Sequence, residues 1–291
     1  MMRKLLLLLS LLLVSTNGFS EPLRVFASVL PIKTFVEKIG GEHVDVRAMV
    51  RPGFNPHIYD PTPQQISALA SAALYVRAGL PFEHAWIKRI VSANDEMQLL
   101  DVRDGMPLRA LEVHTHEDHH AHEVEKPHAD EMDPHVWTSP LLAGKMLGRI
   151  RDKLIELDPA HAADYARNHD VFLAELEVLD NEIHALLEPL SNRKFMVFHP
   201  AWGYFADRYH LNQVPIEYQG KEAGARRIAE LIEHAKHEQI RVIFVQPQFD
   251  RRSARQVAEA INGRVIAVDP LAANYVDNLR RVGQEFAQVL K

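Results

Sequence analysis

The chain of 291 residues contains no cysteine. Disulfide bonds, thiolate metal sites, a cysteine nucleophile and a lipid-modified N-terminal cysteine are therefore excluded. The chain also has no excess of positive charge, because 39 acidic residues outnumber 33 lysines and arginines and give a formal net charge of -6. Since no basic stripe follows that could track a phosphate backbone, no nucleic acid partner is expected.

Long apolar runs are missing except near the N-terminus. Arg3 and Lys4 precede an almost purely apolar stretch of ten residues, 5–14, which small and polar residues follow up to Ser20. A membrane-spanning helix needs about 20 apolar residues. The shorter run, with its basic start, predicts a cleaved secretory signal peptide over residues 1–20 and a mature periplasmic protein that begins near Glu21.

The rest of the chain has an ordinary globular composition, with 47% hydrophobic and 25% charged residues. Short β-rich runs alternate with amphipathic segments, which predicts βα units and parallel strands. We expect an α/β fold of two lobes, each with a roughly four-stranded parallel sheet, joined by one long helix. The expected divisions are an N-terminal lobe over 21–158, a connecting helix over 159–188 and a C-terminal lobe over 189–291.

Local patterns give the expected elements. Thr62, Pro63 and Gln65 have the residue types of an N-cap, a first helical position and a capping box, so a helix is expected to begin there. Eight strands are expected, over residues 23–29, 44–50, 74–78, 99–102, 194–198, 214–217, 242–246 and 265–268.

Histidine is the residue type in excess, with 17 copies. Seven of them fall between residues 114 and 135, mostly in a segment, 112–133, that is also acidic and has no hydrophobic periodicity. Imidazoles mixed with carboxylates suit Zn(II), Ni(II) and Cu(II). This segment, the His-rich loop, is therefore expected to bind metal weakly at secondary sites formed by His114, His116, His119, His120, His122 and His128.

A tight metal site needs ligands that folded elements hold in place. Three histidines share a proline neighbour in a loop beside a predicted strand or helix: His57, His135 and His199. His57 and His199 follow strands of different lobes, where ligands gather in open α/β sheets. Asp269 directly follows the last predicted strand. Taken singly, such a histidine is commonly a hydrogen-bonded structural residue, and an aspartate before a proline also caps turns and helices.

Motifs around these histidines follow one another along the mature chain. They are Asn55-Pro56-His57 with Tyr59 and Pro61, Asp133-Pro134-His135 with Trp137, and Phe198-His199 with Trp202 and Tyr204. Together with the His-rich loop between the first two, they resemble the zinc/manganese substrate-binding proteins of bacterial ABC importers, most closely the zinc-specific periplasmic branch. The resemblance covers essentially the whole mature chain.

The resemblance implies that a rigid long helix bridges the two lobes and that one metal ion binds in the cleft between them. It implies His57, His135 and His199 as metal ligands, with Asp269 as the matching carboxylate. Some relatives use a glutamate beside the first histidine, or a water, as the fourth ligand. Because Pro56 precedes His57 here, Asp269 or water is left for that place.

Metal choice follows from the donor atoms. Manganese members of the family tend to have glutamate where this chain has His199, and a nitrogen-rich set is softer than Mn(II) prefers, so Zn(II) is favoured. Binding of Mn(II), or of both metals, is the alternative. Since the imidazoles must be neutral, metal affinity is expected to fall as the pH drops through about 6.5.

The function that the resemblance implies is transport and not catalysis. Zn(II) is then a transported ligand that the protein delivers to an inner-membrane ABC permease, and another periplasmic zinc carrier is a possible further partner. A periplasmic zinc chaperone or buffer is an alternative, and a zinc hydrolase is a remote one. The chain contains no Walker motif, so it is not expected to be the ATPase that drives uptake.

Overall fold

A computed structural model describes residues 21–111, 132–217, 224–249 and 251–291. The expected signal peptide, 1–20, lies outside the described residues, as does nearly all of the His-rich loop with its six candidate ligands, His114, His116, His119, His120, His122 and His128. Within the described ranges, no helix combines the length and the apolar character needed to span a bilayer.

The first half of the chain forms a four-stranded parallel sheet. Its strands are β1 (Leu23–Ala27), β2 (Val44–Ala48), β3 (Leu74–Arg77) and β4 (Gln98–Asp101), in the order β2-β1-β3-β4. Between them lie α1 (Leu30–Gly40), α2 (Pro63–Ala68) and α3 (Pro81–Ser92). The predicted capping box is present at α2, because the Thr62 side chain accepts from the Gln65 N–H and the Gln65 side chain accepts from the Thr62 N–H.

Two long helices follow the first sheet. They are α4 (Pro140–Leu157) and α5 (Ala162–Leu187), and a short 3-10 turn over Pro159–His161 separates them. The apolar side chains of α5 recur at helical spacing, and Phe172, Leu179 and Ile183 are buried. A long helix therefore lies where the sequence predicted one.

The second half forms another four-stranded parallel sheet. Its strands are β5 (Lys194–Val197), β6 (Asn212–Pro215), β7 (Val242–Val245) and β8 (Arg264–Ala267), in the order β6-β5-β7-β8. Its helices are α6 (Gly203–Arg208), α7 (Ala225–His237), α8 (Arg252–Ala260) and α9 (Tyr275–Val289). The predicted α/β class with two four-stranded parallel sheets is confirmed.

Both sheets have the same strand order, counted along their own part of the chain. In each, the second strand lies on one side of the first and the third strand lies on the other. The direction of winding thus reverses between β1 and β3 and again between β5 and β7. Ligands of open α/β sheets bind outside the carboxyl ends of the strands at such a reversal.

Strand β6 is the element whose predicted position differs most. It covers Asn212–Pro215 and not residues 214–217. The apolar residues Val214 and Ile216 favoured the later bounds, but Pro215 cannot donate a hydrogen bond to a neighbouring strand and is tolerated at an edge. β6 is an edge strand, and Glu217 lies beyond its end, where its side chain is free to serve the site described below.

A continuous apolar core joins the two sheets. It includes Val25 and Phe26 of β1, and Phe195 of β5 and Phe244 of β7. Helix α5 contacts α1 and α4 from the first half and α9 from the second. The histidines discussed next are therefore held on a framework in which both halves pack on the same helix.

Candidate metal centre

Three histidine side chains converge where the two halves of the chain meet. His57 lies in the loop after β2, His135 lies before α4, and His199 follows β5. One ring nitrogen of each lies within 4.8 Å of those of the other two. We call these residues the three-histidine cluster, and across the described ranges no other group of three or more His, Asp or Glu residues is arranged in this way.

The rings of the cluster face one another closely. The ring centroids of His57 and His199 are 4.3 Å apart, those of His135 and His199 are 5.2 Å apart, and those of His57 and His135 are 5.6 Å apart. Histidine nitrogens bind zinc at about 2.0–2.1 Å. The space between the rings therefore suits a single small ion.

Two ring nitrogens of the cluster lack the partners that buried polar atoms normally have. Nε2 of His57 and Nε2 of His199 are buried and have no hydrogen-bond partner among the residues that the structure describes. Leaving a buried donor or acceptor unpaired costs about 1–3 kcal/mol. A bound metal ion would satisfy both atoms at once.

Asp133 orients His135 from behind. Its Oδ1 lies 2.8 Å from Nδ1 of His135 and also accepts from the backbone N–H of that residue at 2.9 Å. Because an ionised carboxylate only accepts hydrogen bonds, Nδ1 of the neutral ring carries the proton. Nε2 then has the free lone pair that a metal ion requires.

Glu217 performs the same task for His199. Its Oε2 lies 3.1 Å from Nδ1 of His199, and both side chains are buried. Gln246, which follows β7, donates from Nε2 to the carbonyl oxygen of His199 at 2.7 Å. The ring of Phe249 stacks on the imidazole with centroids 4.9 Å apart. His199 is therefore fixed by its backbone, its Nδ1 and one face of its ring.

The electrostatic environment keeps the cluster neutral. Burial lowers the pKa of His57 well below its ordinary value, and the neighbouring imidazoles of His199 and His135 lower it further. Burial also lowers the pKa of His199, although its hydrogen bond to Glu217 acts in the opposite direction. Neutral imidazole is the form that binds a metal.

Asp269 lies outside the three-histidine cluster. Its Oδ1 accepts from Nε2 of Gln248 and from the backbone N–H of Leu271, both at 2.9 Å. With Arg51 it lines a cavity of about 170 Å³, and Gln248 and Leu271 line both this cavity and the smaller one beside the histidines. The carboxylate is therefore near the cluster but bound to the protein itself.

Sequence reasoning did not assign a role to the two carboxylates behind the rings. Asp133 lies in the motif that led to His135, so its position was visible but its contact was not. Glu217 is separated from His199 by 18 positions. Its only signal in the sequence is an acidic residue at the end of a predicted strand, a signal that Asp269 shares.

Tyr204 connects this site to the helix that follows His199. Its hydroxyl donates to the carbonyl oxygen of Asp133 at 3.0 Å and accepts from the backbone N–H of Arg109 at 3.1 Å. The guanidinium of Arg109 pairs with Asp207 of α6 at 3.2 Å. Gly203 leaves room for this arrangement, because a Cβ there would lie 1.4 Å from Nη1 of Arg109.

Comparison with known protein families bears on the same residues. The sequence model of the family described as ZnuA, zinc-uptake complex component A, periplasmic, matches residues 25–289. The high-affinity zinc uptake system protein ZnuA of Bacillus subtilis (strain 168) is 28% identical over 261 residues, which are 88% of this chain and 81% of that protein.

Solved structures extend the likeness to the fold. A crystal structure of ZnuA is similar with a TM-score of 0.85 and 38% identity, over 93% of this chain and 100% of that one. A zinc-bound structure of a ZnuA deletion mutant is similar with a TM-score of 0.84 and 38% identity, over 93% and 99%. The match therefore includes both sheets and the helix between them.

Proposed function

Because the chain belongs to the ZnuA family of periplasmic zinc-uptake components, we propose that it captures Zn(II) at the three-histidine cluster and delivers it to an inner-membrane ABC permease. The observation that supports this most directly is the convergence of three imidazoles, with ring nitrogens within 4.8 Å of one another. In this function zinc is the transported ligand.

Zinc is favoured over manganese by the donor atoms. His57, His135 and His199 offer three neutral nitrogens, whereas Mn(II) prefers carboxylate, carbonyl and water oxygens. The relative in Bacillus subtilis is named a high-affinity zinc uptake protein, and a ZnuA structure 38% identical to this chain has zinc bound. Manganese competition is therefore expected to be weak.

The fourth ligand is proposed to be Asp269 or water. For Asp269 to bind the ion, its carboxylate must exchange the hydrogen bonds from Gln248 and Leu271 for the metal. Water requires no such exchange. Either one completes the four-coordinate geometry that zinc adopts when it is held and not used in catalysis.

Capture fits the site better than hydrolysis does. A zinc hydrolase needs a general base next to the metal-bound water. The carboxylates in contact with the cluster, Asp133 and Glu217, touch Nδ1 of their histidines, whereas the ion would bind at Nε2. Each is therefore separated from the ion by an imidazole ring.

Export to the periplasm completes the proposal. The basic and apolar segment at residues 1–20 supplies the signal, and the matched family is described as periplasmic. We propose that 21–158 and 189–291 are the two lobes and that 159–188 is the connecting segment. The cluster then draws His57 and His135 from the first lobe and His199 from the second.

The His-rich loop is proposed to collect zinc at low affinity before it reaches the cluster. Ala110 and Met132, which flank most of this segment, pair in an isolated antiparallel bridge. The chain therefore leaves and re-enters the described structure three residues before His135. Zinc released from this segment would start close to the cluster.

Competitive zinc titration of the mature protein, with manganese in parallel, tests the proposal. We expect one tight zinc site that persists when residues 115–129 are deleted and weakens at least 100-fold in His199→Ala. His237→Ala is the matched control, since His237 is exposed on α7, far along the chain from the cluster. Tight binding that disappears with the loop and ignores His199 would make the protein a zinc buffer.

A further inference from the structure

The carboxylates behind the rings extend the proposed function, on which this inference rests. We propose that Asp133 and Glu217 set the zinc affinity of the three-histidine cluster. Each fixes the ring of the histidine it contacts, and together they supply the negative charge that three neutral imidazoles lack. Both are positioning residues, because each acts on the ion through a histidine.

Both carboxylates are buried far more deeply than their charge would normally allow. The side chain of Asp133 is 1% exposed and that of Glu217 is 2% exposed. One oxygen of each bonds its histidine, while Oδ2 of Asp133 and Oε1 of Glu217 have no hydrogen-bond partner in the described part of the chain. Buried charges are normally paired or bound to metal, so these two require a nearby cation.

Arginine does not fully supply that cation. Nη1 of Arg109 lies 3.8 Å from Oδ2 of Asp133, but the same guanidinium lies closer, at 3.2 Å, to Asp207. Glu217 has an ion-pair contact with His199 and none with a lysine or arginine of the described ranges. Because burial lowers the pKa of His199, that ring is neutral at neutral pH and leaves the charge of Glu217 unbalanced.

A divalent cation at the cluster balances this arrangement. Arg109 and Asp207 cancel each other, which leaves one negative charge on Asp133 and one on Glu217. The three imidazoles add none. A dication therefore makes the centre neutral without a charged fourth ligand, whereas a monovalent ion leaves one negative charge buried.

Two conservative substitutions isolate the charge. Glu217→Gln and Asp133→Asn keep the side-chain size and an oxygen that accepts from Nδ1, but they remove the negative charge. Loss of such a partner typically weakens metal binding 10- to 100-fold, and we expect zinc dissociation constants to rise within this range in each variant. The double variant should bind more weakly than either single one.

Glu83→Gln is the matched control. Glu83 is a fully buried carboxylate that accepts from the backbone N–H groups of Ala78 and Leu80, but it lies outside the cluster. Its substitution should leave the zinc dissociation constant within twofold of the wild type. The control separates loss of any buried carboxylate from loss of these two.

Two further readouts distinguish this role from a merely structural one. Ag(I) is a monovalent ion that binds imidazole nitrogen, and its affinity should fall less than that of Zn(II) in Glu217→Gln. The melting temperature of the metal-free variant should be no lower than that of the wild type, because an unbalanced buried charge has been removed. A structural role predicts equal losses for both ions and a lower melting temperature.

The inference is overturned if Glu217→Gln binds zinc within twofold of the wild type, or if zinc and silver lose affinity equally. His199→Ala is measured alongside. If His199→Ala binds zinc as tightly as the wild type, the proposed capture site itself is wrong. If His199→Ala fails to bind but both amide variants bind normally, the proposed function stands and only the role of the carboxylates is refuted.

Discussion

The indole Nε1 of Trp137 donates to the carbonyl oxygen of Pro270 at 2.8 Å. The segment that carries His135 is thereby bound to the segment that carries Asp269. The hydroxyl of Tyr275, the first residue of α9, donates to the carbonyl oxygen of Trp137 at 2.6 Å. These buried bonds join positions 133 and 138 residues apart in sequence, so they hold the two halves of the site together.

Tyr275→Phe tests this connection. It leaves the buried carbonyl oxygen of Trp137 without its donor, so the free energy of unfolding should fall by about 1–3 kcal/mol. Zinc affinity should fall several-fold as well, because the segment of His135 loses a support. Urea denaturation and zinc titration measure the two effects.

Tyr165→Phe serves as its control, since that hydroxyl bonds Asp158 at the start of the connecting segment. It should reduce stability without changing zinc affinity. An unchanged unfolding curve for Tyr275→Phe would show that the bond to Trp137 contributes nothing.

Zinc binding should persist at a more acidic pH than ordinary histidines would allow. Burial lowers the pKa of both His57 and His199, so protons compete with zinc for these rings only below about 6.5, the ordinary histidine value. The dissociation constant should be nearly constant from about pH 8 down to that value and rise steeply below it. A steep loss already between about pH 7.5 and 6.5 would contradict the lowered pKa values.

Asp269→Asn should weaken zinc binding less than His57→Ala does. Asp269 already has Oδ1 occupied by Gln248 and Leu271, whereas Nε2 of His57 is buried without a hydrogen-bond partner in the described structure. Parallel titrations of the two variants compare them directly. Equal losses would establish that the Asp269 carboxylate leaves its hydrogen bonds to become a ligand.

Glu83 should make stability depend on pH. Burial raises the pKa of Glu83 from 4.5 to about 7, against the opposing effect of hydrogen bonds from Leu80, Tyr75 and Ala78. Protonated Glu83 therefore favours the folded state below pH 4.5, and this contribution is lost as the pH rises to about 7. The loss is at most about 1.4 kcal/mol per pH unit for one proton.

Glu83→Gln should remove this dependence. Urea denaturation of wild type and variant at three pH values between about 5 and 7 compares the slopes. The curve of the variant should be flatter over this window. Parallel curves would show that Glu83 keeps an ordinary pKa in the folded protein.

The fold could be predicted because its signals are local. The capping residues Thr62 and Gln65 and the alternation of apolar runs with amphipathic helices follow from neighbours in the sequence. The bounds of β6 could not be predicted in the same way, since they depend on Pro215 lying at the edge of a sheet. Sheet order is a long-range property that local periodicity does not carry.

The site was predictable to the same extent. His57, His135 and His199 stand in motifs, and the structure brings them together. The contact between His199 and Glu217 depends on how two loops meet after different strands, and no spacing rule encodes it. Asp269 illustrates the converse, because its position after β8 resembled that of a ligand, whereas its hydrogen bonds depend on Gln248.

The apolar core that runs from β1 through α5 to β5 and β7 has a thermodynamic consequence. A receptor that swings between open and closed forms loses apparent affinity in proportion to the time it spends open. Here the two sheets share buried side chains with one helix, so a wide swing would expose part of a common interior. The affinity for zinc is then close to the intrinsic affinity of the ligands, and release must be achieved by disturbing the loops that carry them.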